Sequence, residues 1–358
     1  MIFLRAFVFS IAAQIVSASV SAQTLTVVSW GGAHTVALTN AFYEPFEREF
    51  DVDVSSLHYS GGLGQLRAQV ESEAVVWDVL DLTAEDVLMG CENGWLEPLP
   101  LEQLLPGAED ISAEDDFYDH ALTNCGVAYA SWSMLNAVWP GAFENKSPRS
   151  ISDVFDVETF PGKRGFYRSP RGLLEWALLA EGVNPRDVYS RLATDAGIEQ
   201  SLMRLSALRP SIVWWDDVDE HARERVSKDI PIGAVFSSTM MQKNDNSHNN
   251  TSFIWDGQLM NYSYLSIARG SLQFANAWRF IRFVTRYEQM PLITNWTGYS
   301  PTRRSSLRRI GARFLPTLST SDENRALALH VDADWWRNHG DAAEQRFVDW
   351  LMSETSSN

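Results

Sequence analysis

The chain has 358 residues, 45% hydrophobic and 21% charged, with 29 Lys+Arg against 46 Asp+Glu. That length suggests two domains, each with its own core, and a net charge of −17 argues against a nucleic-acid binder. No stretch beyond the N-terminus is apolar enough to span a membrane, and an aromatic content of 12% without a short repeat excludes collagen-like, coiled-coil and disordered chains.

Residues 1–22 read as an export signal. Arg5 supplies a positive start, Ala6 to Val16 form a short apolar run, and Val20-Ser21-Ala22 place small residues ahead of a cleavage point. Residue 23 is Gln, so the expected mature end lacks the cysteine of a lipoprotein. The two cysteines, Cys91 and Cys125, both fall in the exported part. They could pair in an oxidising compartment, stay as separate buried thiols, or include one reactive thiol. A zinc site would need two further ligands nearby.

In chain order, Leu25–Ser29 is a compact strand that stops at Trp30-Gly31-Gly32. Leu38, Phe42 and Phe46 recur every four residues, with Phe50 beyond Pro45, and predict an amphipathic helix facing a core. Val52–His58 returns to strand character, broken by Ser60-Gly61-Gly62. Leu63, Leu66 and Val70 predict a second helix, Val75–Leu82 a third strand, and Val87, Leu88 and Cys91 the next helix. This βαβαβα order predicts an α/β fold with a parallel, doubly wound sheet. Ligands of such sheets gather at the carboxyl ends of strands, here Trp30–His34, Tyr59–Gly62 and Thr83–Glu85. Asn136–Pro161, rich in Pro, Ser and Asp, reads as a surface excursion. Helices are expected at Leu173–Glu181, closed by Gly182, and at Leu272–Tyr287, with Phe274, Trp278, Ile281 and Val284 on one face. Arg204–Val213 leads to Trp214-Trp215, and Ile232–Phe236 and Leu259–Ile267 read as strands.

Catalytic motifs are largely missing. None of the histidines at 34, 58, 120, 221, 248, 330 and 339 sits in a His-Glu-x-x-His pair, and there is no G-x-S-x-G elbow, P-loop or G-x-G-x-x-G. Asp216, Asp217, Asp219 and Glu220 open like a calcium loop, but its turn glycine and distal glutamate are absent. Tryptophan carries the stronger signal. Trp30, Trp132, Trp214, Trp215 and Trp255 fall at expected turns or strand ends, where an indole can wall a pocket and hold an amine by cation–π attraction. Trp335-Trp336 reads as packing.

The segments VVSWGGAHTVALTNAFYEPFEREF and LRAQVESEAVVWDVLDLTAEDVLMGCENGWLEPL resemble bacterial periplasmic solute-binding proteins of the polyamine (spermidine/putrescine) branch. The likeness continues through FPGKRGFYRSPR, SIVWWDD, IWDGQLMNYSYLSIARGS and DADWWRNHGDAAEQRFVDWL, in order over nearly the whole mature chain. It implies a type II binding-protein fold of two α/β lobes, each a mainly parallel sheet flanked by helices, with hinge segments crossing between them. Residues 23–131 with 262–304 would form one lobe, and 132–261 with 305–358 the other. It further implies a monomeric periplasmic binder without enzymatic activity or cofactor, delivering its ligand to an ABC permease, with Cys91 and Cys125 disulfide-bonded. The ligand set carried over is Trp30, His34, Tyr59, Glu85, Trp132, Arg168, Trp214, Trp215, Asp216, Asn261, Ser263 and Tyr264. Two acids of the branch are missing, because Gly62 and Ser263 stand where they are expected. Putrescine or spermidine is the first ligand expectation, and an amino-acid-like zwitterion the second, in keeping with Arg168 and Arg171.

Overall fold

A computed structural model describes residues 24–143, 146–216, 225–238 and 251–353. The expected export signal, Asp217, Asp219, Glu220, His221 and His248 lie outside the described residues. Ten strands form one mixed sheet: β1 Thr24–Ser29, β2 Asp53–His58, β3 Val79–Leu82, β4 Leu122–Thr123, β5 Gly126–Val138, β6 Arg164–Tyr167, β7 Ile212–Trp215, β8 Ile232–Phe236, β9 Ser252–Ile267 and β10 Ala328–His330. The main order is β2-β1-β3-β9-β5-β8-β6-β7. The outer strands pair in parallel on both sides, β2-β1-β3 and β8-β6-β7. Between them β9 and β5 run antiparallel to each other, to β3 and to β8. The parallel pattern expected from the βαβ repeat is therefore interrupted by these two long central strands.

Two hydrophobic clusters flank the crossing and define two lobes. The first draws on Leu25 to Ala130 and Met260 to Ile293, and the second on Leu135 to Leu259 and Leu329 to Trp350. β5 passes from one cluster to the other between Ala130 and Leu135, and β9 between Leu259 and Met260. The β5/β9 ladder slips at Ala128/Ala130, where β5 carries the extra residue, and again at Met134/Asn136, where β9 carries the extra residues between Ile254 and Leu259, so the ladder is irregular on both sides of the crossing.

The first lobe forms as its periodicity requires. Gly32–Leu38 and Glu44–Phe50 are joined by a π turn at Thr39–Tyr43, just ahead of Pro45, and Leu38, Phe42 and Phe46 are buried. Helices Gly64–Glu71 and Ala84–Glu92 follow, the latter capped by the Thr83 hydroxyl, which accepts from the Asp86 N–H. Cys91 and Cys125 are disulfide-bonded, tying that helix to the start of β5. On the loop-entropy account such a link contributes about 3–4 kcal/mol.

Some boundaries differ from expectation. The third strand is short, Val79–Leu82, and the Asp78 side chain just before it accepts from the Thr26 N–H and the Ser271 hydroxyl. Asn136 is buried within β5, and the supposed surface excursion contains the helix Ile151–Phe155, whose Ile151, Val154 and Phe155 are core residues. Its N-terminus is closed by a reciprocal Ser150–Asp153 cap. Leu173–Ala180 and Phe274–Val284 fall within their expected spans, although Leu272 is exposed. Trp335 and Trp336 are buried in the helix Ala333–Ser353, as packing residues.

Candidate functional site

A cavity of about 540 Å³ opens between the lobes. The turn after β1 supplies Trp30, Ala33 and His34, and the end of β3 supplies Leu82 and Thr83. Gly31 makes that turn possible: its φ is +81°, and a Cβ there would collide with the His58 ring. Trp132 on β5, Tyr262 and Ser263 on β9, and Phe236 and Ser238 at the end of β8 complete the walls. Trp296, Thr297 and Tyr299 close one side, with Trp296 more than half exposed.

The walls are aromatic and mutually braced. Trp132 meets Phe236 edge-on at 5.5 Å between ring centroids, and Tyr299 lies 5.8 Å from His34. Among the described lining residues there is no Asp, Glu, Lys or Arg. Polar groups are hydroxyls, the indole N–H groups and the His34 imidazole. The Thr83 hydroxyl is engaged with Asp86, accepting from its main-chain N–H and donating to its carboxylate.

Beneath this surface lies a charged group. Asp81 is completely buried, and its Oδ2 faces His34 Nε2 at 2.8 Å and accepts from the Tyr129 hydroxyl at 2.9 Å. The Tyr59 hydroxyl donates to the Asp81 carbonyl at 2.6 Å. Burial, reinforced by the charge of Asp81, raises the hydroxyl pKa values of Tyr59, Tyr129 and Tyr299 well beyond the ordinary range. All three remain neutral donors.

Of the twelve residues expected at the site, Trp30, His34, Trp132 and Ser263 line this cavity. Tyr59 stands behind it, 5.1 Å from the Trp30 ring. Trp214 packs edge-on against Phe347 and Trp350 of the C-terminal helix. Trp215 is buried against Tyr167, beneath Gly165 and Gly233. Asn261 pairs with Trp132 across the β5/β9 ladder, and its amide donates to the Leu259 carbonyl. Tyr264 lines a different cavity, of about 710 Å³, with His120, Tyr189 and His330.

The remaining three are charged and engaged. Arg168 and Asp216, following β6 and β7, form an exposed ion pair at 3.0 Å. Glu85 accepts from Arg171 at 2.8 Å. The Arg171 guanidinium lies 4.5 Å above the Trp336 ring, which is itself fixed by donation to the buried Glu175. Burial raises the Glu175 carboxyl pKa, opposed by the hydrogen bonds it accepts. Sequence reasoning missed Leu82, Phe236, Tyr262, Trp296 and Tyr299. The Trp296-Thr297-Gly298-Tyr299 run, with Gly298 left-handed at the end of a short helix, is the one local signal that could have drawn attention to that wall.

A model of bacterial extracellular solute-binding proteins matches residues 41–313. A gamma-aminobutyric acid-binding protein of Pseudomonas aeruginosa is 30% identical over 334 residues, covering 93% of this chain and 92% of its own. The solved structure of a GABA receptor matches with a TM-score of 0.78 at 23% identity, over 92% of this chain and 97% of the other. The spermidine/putrescine-binding protein PotD of Streptococcus pneumoniae gives 0.71 at 15% identity, over 92% and 99%. At that identity PotD shares the fold alone, so the expected polyamine branch gives way to a broader assignment. The chain belongs to the bacterial extracellular solute-binding protein family.

Proposed function

We propose that this protein is the periplasmic substrate-binding component of an ABC importer and takes a small zwitterionic amine of the γ-aminobutyrate kind. The observation that carries the reading is the aromatic cavity between the lobes, whose described lining holds no charged side chain. A polyamine entering it would bring two or more positive charges, and burying these without carboxylates is costly. Both acids expected of the polyamine branch are absent, at Gly62 and Ser263. A zwitterion brings no net charge. Its ammonium can lie against indole faces, while the Ser263 hydroxyl donates to its carboxylate. The likeness to a gamma-aminobutyric acid-binding protein supports the same ligand class.

Ligand joining both lobes would favour a closed form, which the permease then reads as loaded. Binding returns the solute unaltered, with no reaction and no cofactor, and one chain suffices. The test is calorimetric titration of mature protein, stripped of ligand by unfolding and refolding, with γ-aminobutyrate, common amino acids, putrescine, spermidine and agmatine. Binding of zwitterions is the expected result. Binding of putrescine or spermidine alone would restore the polyamine reading and reject this one.

A further inference from the structure

Asp81 is completely buried among the residues of the first core, yet among the described residues its Oδ1 has no hydrogen-bond partner. Among the described residues the one basic side chain within 4.0 Å of its carboxylate is His34, whose Nε2 lies at 2.8 Å. A carboxylate buried with one oxygen unpaired is costly, and an asparagine of the same shape could hold His34 and Tyr129 without that cost. A fastening role for the helix Gly32–Leu38 therefore leaves the charge unexplained. His34 is the one member of this group that reaches the cavity, with 14% of its side chain exposed. Its Nε2 faces the carboxylate, so the proton belongs on that nitrogen. In the neutral ring the other nitrogen, Nδ1, then carries a lone pair and accepts hydrogen bonds.

We propose that His34, backed by the buried Asp81, receives the ammonium of the ligand in the inter-lobe cavity. The proposal rests on the zwitterionic-amine reading and identifies the counter-charge that the lining itself lacks. Asp81 holds the imidazole in the tautomer whose Nδ1 accepts from N–H, and its charge lies one ring beyond the ammonium. A single buried negative charge matches one ammonium, which favours a monoamine or zwitterion over a diamine. It also stands in for the acids missing at Gly62 and Ser263. Tyr129 donates to the carboxylate and Tyr59 to the main-chain carbonyl of Asp81, which fixes the side chain and the strand that carries it.

The test uses γ-aminobutyrate as probe with the full mature chain. Two-bond proton–nitrogen correlation spectra of the wild type report both ring nitrogens of His34. On saturation the Nδ1 resonance should move from a free lone pair toward a hydrogen-bonded acceptor, while Nε2 keeps its proton. Calorimetry of Asp81→Asn should show affinity lowered at least tenfold, and His34→Phe should do the same. An unmoved Nδ1 resonance overturns the assignment, as does a folded Asp81→Asn protein with wild-type affinity. If that variant does not fold, the spectrum of the wild type still decides. A wild type that binds neither γ-aminobutyrate nor any other zwitterion instead rejects the functional reading, so the two failures are distinguishable.

Discussion

Arg171 and Glu85 meet at 2.8 Å from opposite lobes. Glu85 belongs to the helix Ala84–Glu92, whose Val87 is part of the first core, and Arg171 precedes the helix Leu173–Ala180 of the second. A second ion pair, Arg337 with Glu92, joins the same helix to Ala333–Ser353. Cleft geometry therefore depends partly on surface charge.

These pairs are partly exposed, with Arg171 51% and Glu85 23% exposed, so each contributes about 0.2–1 kcal/mol. Replacing Arg171 and Arg337 together by alanine should shift the ligand-free population away from the conformation described here, without unfolding either lobe. Small-angle scattering is the direct measurement. An unchanged scattering profile in the double variant at low salt would show that lobe spacing is set by other contacts.

The aromatic wall makes a second prediction. Trp132→Ala removes an indole face braced by Phe236, and cation–π losses of about 1–2 kcal/mol imply affinity weakened roughly five- to thirtyfold. Trp214→Ala, by contrast, should lower stability and leave affinity near wild type, because Trp214 packs on Phe347 and Trp350. Parallel calorimetry and urea denaturation separate the two effects. Equal affinity losses would mean that the tandem tryptophans reach the ligand after all.

A third prediction concerns pH. Burial, with a smaller effect from the neighbouring His120, pushes the His330 pKa down from 6.5 to about 4. The unfolded chain takes up a proton near 6.5, whereas the folded protein resists it until about pH 4. The unfolded state thus binds more protons across this window, and stability falls as pH drops from 6.5 toward 4. His330→Phe should flatten the fall by up to about 3 kcal/mol, read from urea midpoints at several pH values. Identical slopes in variant and wild type would assign the acid sensitivity to carboxylates.

Much of the first lobe was legible because its helices each bury one face and its strands are short and apolar. Leu38, Phe42 and Phe46 announce their helix from spacing alone. β9 was legible only in its apolar second half. Its beginning, Ser252–Gln258, contains Asp256 and Gly257, which fall where β9 slips out of register with β5 between Ile254 and Leu259. At the site, Trp30 and His34 follow from the end of β1, whereas Trp132 lies in the middle of β5 and Tyr299 reaches the cavity only through tertiary folding. Trp214-Trp215 misleads for a specific reason. Alternation along β7 turns successive side chains to opposite faces, toward the C-terminal helix on one and toward Tyr167 on the other.

The two slips of register in the β5/β9 ladder enclose Trp132, which is also a wall of the cavity. An irregular ladder bends more easily than a regular one, so on the proposed function the backbone that would give as the lobes close also carries a ring that lines the cavity. Recognition and motion then share one stretch of chain. On that reading, the fit of a solute against one indole would set the angle between two bodies with no relay of side chains in between.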